Sequence, residues 1–427
     1  MMIAPLLLFV CLMVFMFLKI PIAWSLMLSS LIALIVDGGY PAAVIVQRMF
    51  AGADNFSLLA IPFFIMAGEI MARGGLSKRL VDFANSLVGC FHGGLSLVSI
   101  LACTFFAAIS GSSIATTVAI GGIMIPEMTK RGYPKDFSGA VQAIGGTLGI
   151  VIPPSIVFIM YGMATNVSVT KLLMSGMIPG IMTGGALCFV AYLISKKNNY
   201  PKDSNFSLPN VFKNFKSAFL SLMMPIIILG GIYLGIFTPT ESAAVAVVYG
   251  LVVSALIYRE VKLKDIGQIL ISTGKSTANL MILVVSAQMF GWVITIFDVP
   301  SMATDFVIQI ANSPFAFITC TVILLLIAGM FMEDGATVLI LGPILAPIAS
   351  MFGIDPVHFG FVMVFTLAIG QATPPFGVTL FVASSLTKKP VTSIARKMIP
   401  FLLTEIACAF LFAYVPVFST WLPYAIQ

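Results

Sequence analysis

The chain has 427 residues, 59% of them hydrophobic and only 9% charged, with a mean hydropathy of +1.09. No single soluble core hides so much apolar surface, and soluble domains carry about 25% charged residues, so a soluble globular fold, a disordered chain and a disulfide scaffold are excluded. The net charge of +6 is therefore read first as a membrane-topology signal, and no nucleic-acid partner is expected.

The apolar runs are long and continuous, unlike the alternating segments of roughly 10 residues in a membrane β-barrel. The chain is apolar from Met1, has no basic n-region, and first carries charge at Lys19. That start reads as a membrane helix with its N-terminus outside, not as a signal peptide. A crossing helix needs about 20 mostly apolar residues. In chain order the runs predict crossings near 2–19, 22–36, 57–72, 136–163 and 172–195, then 218–236, 240–258, 276–297, 357–384 and 398–422. Two further stretches, 93–127 and 314–351, are interrupted midway by polar clusters, Ser110-Gly111-Ser112-Ser113 and Glu333-Asp334-Gly335. Each is long enough to enter and return, and each reads as a re-entrant hairpin. The six cysteines lie in or beside apolar runs without paired spacing and read as small buried hydrophobes.

The basic residues test this topology. With Lys19 in the cytoplasm and ten crossings alternating, all of the 22 Lys and Arg except Arg48 and Lys171 fall on the cytoplasmic side. Making either hairpin a true crossing flips every later loop and destroys the bias that the positive-inside rule demands. Both termini are then outside. The most polar segment, 196–217, reads as a cytoplasmic linker.

The chain also repeats. At an offset of 221 residues Gly121 falls on Gly342, Pro126 on Pro347, Gly149 on Gly370, and Pro153-Pro154 on Pro374-Pro375. Upstream, at a shift of two more, Asp82-Phe83 meets Asp305-Phe306. Each half carries an odd number of crossings, so the second half is inverted, a pattern found in secondary transporters. The expected fold class is an all-α polytopic membrane protein with an inverted-topology repeat, about ten crossing helices and two re-entrant hairpins.

Each hairpin is followed by a broken helix. The breaks are Gly145-Gly146-Thr147-Leu148-Gly149 through Pro153-Pro154-Ser155, and Gly370-Gln371-Ala372-Thr373-Pro374-Pro375-Phe376-Gly377. Proline removes an N–H and glycine permits an unwound backbone, which leaves carbonyls in need of partners. Carbonyl and hydroxyl oxygens suit a small hard cation such as Na⁺, and half-helix N-termini suit an anionic substrate. Pairing tip with break gives a first expected sodium site at Ser110, Gly111, Ser112, Ser113, Gly145, Gly146, Thr147, Gly149 and Pro153. The second lies at Glu333, Asp334, Gly335, Gly370, Gln371, Thr373 and Pro374. Substrate contacts are expected from Ser112, Thr147, Ser155, Thr337 and Thr373. Glu333 and Asp334 are adjacent carboxylates at membrane depth, where such groups are costly and functional; Asp334 also has the alternative role of helix cap. Glu69 with Arg73 four residues on reads as a helix pair, and Glu241 after Thr240 as helix-start chemistry. Glu405, inside the last crossing, is left open between structure and function.

These segments carry a resemblance. Ile61-Pro62-Phe63-Phe64 with Ala67-Gly68, the tip Ser110-Gly111-Ser112-Ser113, Gly145 to Gly149 with Ile152-Pro153-Pro154-Ser155, and Thr373-Pro374-Pro375-Phe376-Gly377 together resemble the large membrane subunit of tripartite ATP-independent periplasmic (TRAP) transporters. The whole chain is similar to the sialic-acid members of that family. The resemblance implies a Na⁺-driven importer of an organic acid in the bacterial inner membrane, binding two or more Na⁺ and no organic cofactor. It implies a periplasmic substrate-binding protein and a small four-helix membrane subunit as partners, the latter a separate chain, besides membrane lipid. It also implies an elevator motion of transport parts (93–195 and 314–427) against scaffold parts (1–92 and 218–313), joined by the 196–217 linker. The rival readings are a C4-dicarboxylate or stand-alone carrier, H⁺ coupling through Glu333 or Asp334, and an intramembrane hydrolase using Ser112 or Ser113 with His358. No HExxH, DDxxD, GxGD or Walker motif occurs, and no enzyme is expected.

Overall fold

The computed structural model describes residues 3–41, 43–203 and 206–426. The chain ends expected outside, and Ser204 and Asn205 of the expected linker, lie outside the described residues, as do the side chains of Asp305 and Phe306. Among the described residues all regular structure is helical. The first half comprises α1 (Ile3–Phe17), α2 (Ile22–Asp37), α3 (Ala43–Ala53), α4 (Ala60–Arg73), α5 (Leu76–Val88), α6 (Gly94–Ser110), α7 (Ser113–Lys130), α8 (Lys135–Val151), α9 (Ile156–Thr165), α10 (Val169–Ser175) and α11 (Met177–Lys197). The second comprises α12 (Leu208–Tyr233), α13 (Pro239–Leu251, extended by a π-helical stretch Val252–Ile257), α14 (Leu263–Ile296), α15 (Val299–Ile310), α16 (Pro314–Phe331), α17 (Asp334–Met351), α18 (Pro356–Gly370), α19 (Val378–Thr387), α20 (Val391–Tyr414) and α21 (Val417–Ala425).

Each polar cluster lies where one helix ends and the next begins, α6 meeting α7 across 111–112 and α16 meeting α17 across 332–333. Ser112 caps α7, accepting from Ala115 N at 3.4 Å, and Glu333 caps α17, its Oε2 accepting from Ala336 N at 3.1 Å. A capping side chain satisfies an N–H that lipid leaves without a partner. Both proline pairs break their helices: α8 and α9 meet at 43° across Ile152–Ser155, and α18 and α19 are separated by 371–377. The proline–proline bonds at both breaks are cis.

Packing interleaves the halves. Helix α7 lies against α8 and also against α19, while α17 lies against α18 and also against α9. The 34-residue α14 runs past α2, α3, α4 and α17. Large apolar side chains point outward from many helices, among them Phe17, Phe189, Leu234 and Leu263, as expected where lipid is the solvent.

Several boundaries differ from the sequence reading. Among the described residues eight helices are long and apolar enough to cross a membrane, or nine if α8 and α9 form one span. The ten expected crossings include α1 and α2, of 15 and 16 residues, and the interrupted α18–α19, all shorter than that criterion. Both arms of the second hairpin, 18 residues each, satisfy it. Length and composition therefore do not separate a crossing from a hairpin arm. Helices enter the expected linker 196–217 from both ends: α11 runs to Lys197 and α12 begins at Leu208. Lysines fit comfortably in a helix that leaves the bilayer, and the same explains why α14 begins at Leu263 and not near 276. At 1.5 Å per residue α14 is about 51 Å long, well beyond a hydrocarbon core of about 30 Å. The crossing expected at 172–195 falls within one apolar span, Val169–Lys197, interrupted only at Gly176 between α10 and α11, whereas that at 398–422 is divided into α20 and α21 at Val415-Pro416. Counting apolar runs also misses the short helices α3, α5 and α15, which mix polar and apolar residues.

Candidate functional site

The first tip is built against the first break. Gly111 has φ +62°, and a Cβ there would come within 2.6 Å of the Pro154 carbonyl oxygen, so the position demands glycine on both counts. The Gly111 carbonyl accepts from Ile156 N at 3.3 Å, which stitches the tip to the start of α9. Ser155 caps α9 by accepting from Phe158 N at 3.4 Å. Gly149 faces the tip directly: a Cβ there would lie 2.4 Å from Ser112 O and 2.6 Å from Thr116 Oγ1. Those two oxygens converge on the space a side chain would fill. Ser110 Oγ lies 2.8 Å from Thr116 Oγ1, with either as donor.

The second tip packs more against α9 than against its own break. A Cβ on Gly335 would meet Met160 Cε at 2.8 Å. Thr337 is buried and donates to the Glu333 carbonyl at 2.9 Å, and Asp334 Oδ1 accepts from Gly335 N at 2.9 Å. Gly370 approaches Gly329 backbone to backbone, and Phe376 packs on Phe331 at 6.0 Å between ring centroids. Thr373 Oγ1 donates to Ile369 O at 2.8 Å, and Gly377 N to Thr373 O at 3.1 Å, which folds this break on itself. Pro374 is half-buried beside them.

The two halves meet through Gln371. Ser113 Oγ donates to Gln371 Oε1, joining the tip of the first hairpin to the break of the second half. One cavity of about 680 Å³ collects the result. It is lined by Ser110, Gly111, Ser112 and Ser113 of the first tip, Glu333 and Asp334 of the second, and Gln371. Ile156, Val157 and Met160 of α9 form another wall. Gly68, Glu69 and Arg73 of α4 and Ser276 and Leu280 of α14 also line it. The starts of α7, α9 and α17 all reach this cavity, and helix N-termini carry partial positive charge. Thr147, Gly145, Gly146, Gly149, Pro153, Ser155, Gly335, Thr337, Gly370, Thr373 and Pro374 of the expected sites do not line it.

Thr147 turns elsewhere, to Glu405 of α20. Glu69 does pair with Arg73, at 3.4 Å, and both also reach α14: Ser272 Oγ donates to Glu69 Oε1 at 2.9 Å, and Arg73 Nη1 to Gln268 Oε1 at 3.0 Å. In the sequence the i, i+4 spacing alone explains the pair, so nothing there marks these residues as part of a site. Glu241 forms a capping box with Thr238. The hydrolase reading has no geometry behind it, since His358 sits against Ser419 Oγ at 2.7 Å and Ala413 O at 3.1 Å while Ser113 is engaged by Gln371.

A membrane protein whose described residues form only helices, with both polar tips and Gln371 of the second break lining one largely apolar cavity, has a membrane transporter fold. The chain belongs to the family described as "Tripartite ATP-independent periplasmic transporter, DctM component", whose profile matches residues 9–418. It is 40% identical over 417 residues to the C4-dicarboxylate TRAP transporter large permease of Rhodobacter capsulatus, covering 94% of this chain and 95% of that protein. It is 37% identical over 407 residues to the sialic acid TRAP transporter large permease of Vibrio cholerae, covering 95% of each. Its fold is similar to that in the crystal structure of the Alcanivorax borkumensis YdaH transporter, with a TM-score of 0.62 over 87% of each chain at 16% identity. The protein is thus a multi-pass transport permease of the TRAP family.

Proposed function

We propose that this chain is the large transport subunit of a Na⁺-coupled, binding-protein-dependent importer of an organic acid in the bacterial inner membrane, with sialic acid the first substrate to test. The observation that carries the reading is the shared cavity: two hairpin tips, Gln371 and three helix N-termini face one space large enough for a small acid. The first tip fits a hard monovalent cation, because its convergent donors at the Gly149 cradle are neutral hydroxyl and carbonyl oxygens, those of Ser110, Ser112 and Thr116. Sodium bound there supplies positive charge beside a carboxylate. Glu333, Asp334 and Gln371, which share the cavity, carry the oxygens that a second ion would meet first.

The elevator reading is supported by the mixed lining of the cavity, where α4 and α14 of the expected scaffold parts meet the two tips, α9 and Gln371 of the expected transport parts. The inverted repeat is supported by the 221-residue offset and by the reciprocal packing of α7 on α19 and α17 on α9. A small four-helix membrane subunit and a periplasmic binding protein complete the system, both termini facing the periplasm. Substrate chemistry stays at the level of the carboxylate, because the names of the relatives span a C4-dicarboxylate and sialic acid. The test is uptake of labelled N-acetylneuraminate, and separately of labelled succinate, into proteoliposomes holding this chain and its small subunit. Uptake that needs both a Na⁺ gradient and the binding protein is expected. Uptake driven by a proton gradient without Na⁺, or without the binding protein, overturns the coupling or the tripartite assignment respectively.

A further inference from the structure

A second pocket, of about 350 Å³, is lined by α3 and α14 together with Ala164 of α9 and Leu339 and Pro343 of α17. It lies on the same interface as the main cavity, further along each helix. On α14 the main cavity uses Leu280 and this pocket Ala287; on α9 they use Met160 and Ala164; on α17, Asp334 and Leu339. Those steps correspond to about 6–11 Å of helix. The intervening turns bury Val284 and Val338, and the two pockets are separate.

The pocket has one cation, Arg48. Its guanidinium stands over the Trp292 ring at 4.7 Å, and Trp292 in turn meets Tyr40 edge-on at 5.5 Å between centroids. None of the ion pairs among the described residues includes Arg48. Local packing sets its position. A Cβ on Gly52 would come within 2.8 Å of Gln288 Cβ, so α3 and α14 touch there, and one turn along both helices Arg48 meets Trp292. By the distribution of basic residues Arg48 is also one of only two cations on the outer side. Arginine presents a planar fork of donors that matches a carboxylate.

We propose that Arg48 and its pocket form a second organic-anion site, held on the scaffold wall, which binds the substrate's carboxylate at the end of the interface opposite the main cavity. This inference rests on the transport reading and adds to it a binding position outside the tip and break residues. The acid is held on a wall shared by α3 and α14, at the edge of the elements that carry the main cavity, and passes to that cavity when the intervening turns separate. A phospholipid headgroup offers related anionic oxygens, so the test separates the two sources.

Trp292 is the reporter. In a Trp24→Phe, Trp421→Phe background it is the sole tryptophan of this chain. The full chain with a tryptophan-free small subunit is placed in phosphatidylcholine vesicles and titrated with N-acetylneuraminate and with succinate in the absence of Na⁺. A saturable change in Trp292 emission is expected, unchanged by Gln371→Ala and weakened about tenfold by Arg48→Gln, the loss of one charge-assisted bond. Arg48→Lys, which keeps charge without the fork, is expected to fall between. An Arg48→Gln protein with normal thermal unfolding that titrates like its parent overturns the proposal. So does a response abolished by Gln371→Ala, or one elicited by phosphatidylglycerol and not by either acid. Failure of the transport reading is seen separately, as absence of Na⁺-driven acid uptake by the unsubstituted protein.

Discussion

Thr147 Oγ1 on α8 lies 2.5 Å from Glu405 Oε1 on α20 and 2.6 Å from the carbonyl oxygen of Ile144. Glu405 is 1% exposed, and its other carboxyl oxygen is buried without a partner among the described residues. The contact fastens the broken helix of the first half to the last long helix. It also removes Thr147 from the set of residues around the cavity.

Thr147→Val leaves Glu405 with no hydroxyl to meet either oxygen. Stranding a buried polar group costs about 1–3 kcal/mol, so the purified protein is expected to unfold at a lower temperature. Glu405→Gln keeps an acceptor for Thr147 and is expected to unfold close to the parent. The Na⁺ concentration for half-maximal uptake is expected to be the same in Thr147→Val as in the parent. A large rise in it returns Thr147 to the ion site.

Gly149→Ala places a methyl group 2.4 Å from Ser112 O, in the cradle where tip and broken helix converge. Overpacking of this kind costs about 1–3 kcal/mol. Half-maximal uptake is expected to need about tenfold more Na⁺, the equivalent of about 1.4 kcal/mol. Gly122→Ala is the control, since a Cβ there meets nothing within 4 Å; being inside α7, it is expected to be neutral or slightly stabilising. Equal behaviour of the two variants removes the cradle from the ion site.

Ser113 and Gln371 are 258 residues apart and share a hydrogen bond inside the cavity wall. A double-mutant cycle with Ser113→Ala and Gln371→Ala, read by acid affinity, is expected to show a coupling of about 0.5–3 kcal/mol. The double variant then binds no worse than the poorer single one. Strict additivity means that the contact between the halves does not shape the binding cavity.

Asp203 straps the base of the first hairpin. It accepts from Asn85 Nδ2 at 2.8 Å and pairs with Arg131 Nη2 at 3.1 Å, while its own N–H donates to Gly89 O at 3.0 Å. Its side chain is only 8% exposed, so Asp203→Ala strands Asn85 and costs about 1–3 kcal/mol locally. Trypsin is expected to cut after Lys202 faster in Asp203→Ala than in the parent, followed by fragment mass in detergent. Equal cleavage rates mean that the strap is held by the Gly93 N to Pro201 O and Tyr133 Oη to Pro201 O bonds instead.

Much of the architecture is local chemistry and can be read along the chain. Helices end and restart at the polar interruptions 110–113 and 333–335, and the proline pairs at 153–154 and 374–375 break their helices. Serine and glutamate caps, glycines and prolines act within a few residues of themselves. Helix ends are less legible, because Lys264 or Lys213 ends an apolar run without ending a helix. Arg48 stood out in the sequence only as a charge on the outer side, with nothing to attach it to Trp292.

Read along the chain, the residues establish that lipid is the solvent, that helices are the only regular structure to expect, and where those helices turn and break. These follow from composition, run length and the geometry of glycine and proline. The partnerships appear only in three dimensions: Ser113 with Gln371, Thr147 with Glu405, Gly335 beside Met160, Gly52 against Gln288. The reason is that helix packing in lipid depends on close shape complementarity between small residues and on the few polar groups that meet across an interface. Many pairings of so many apolar helices satisfy the same one-dimensional pattern, and only the three-dimensional fit selects among them.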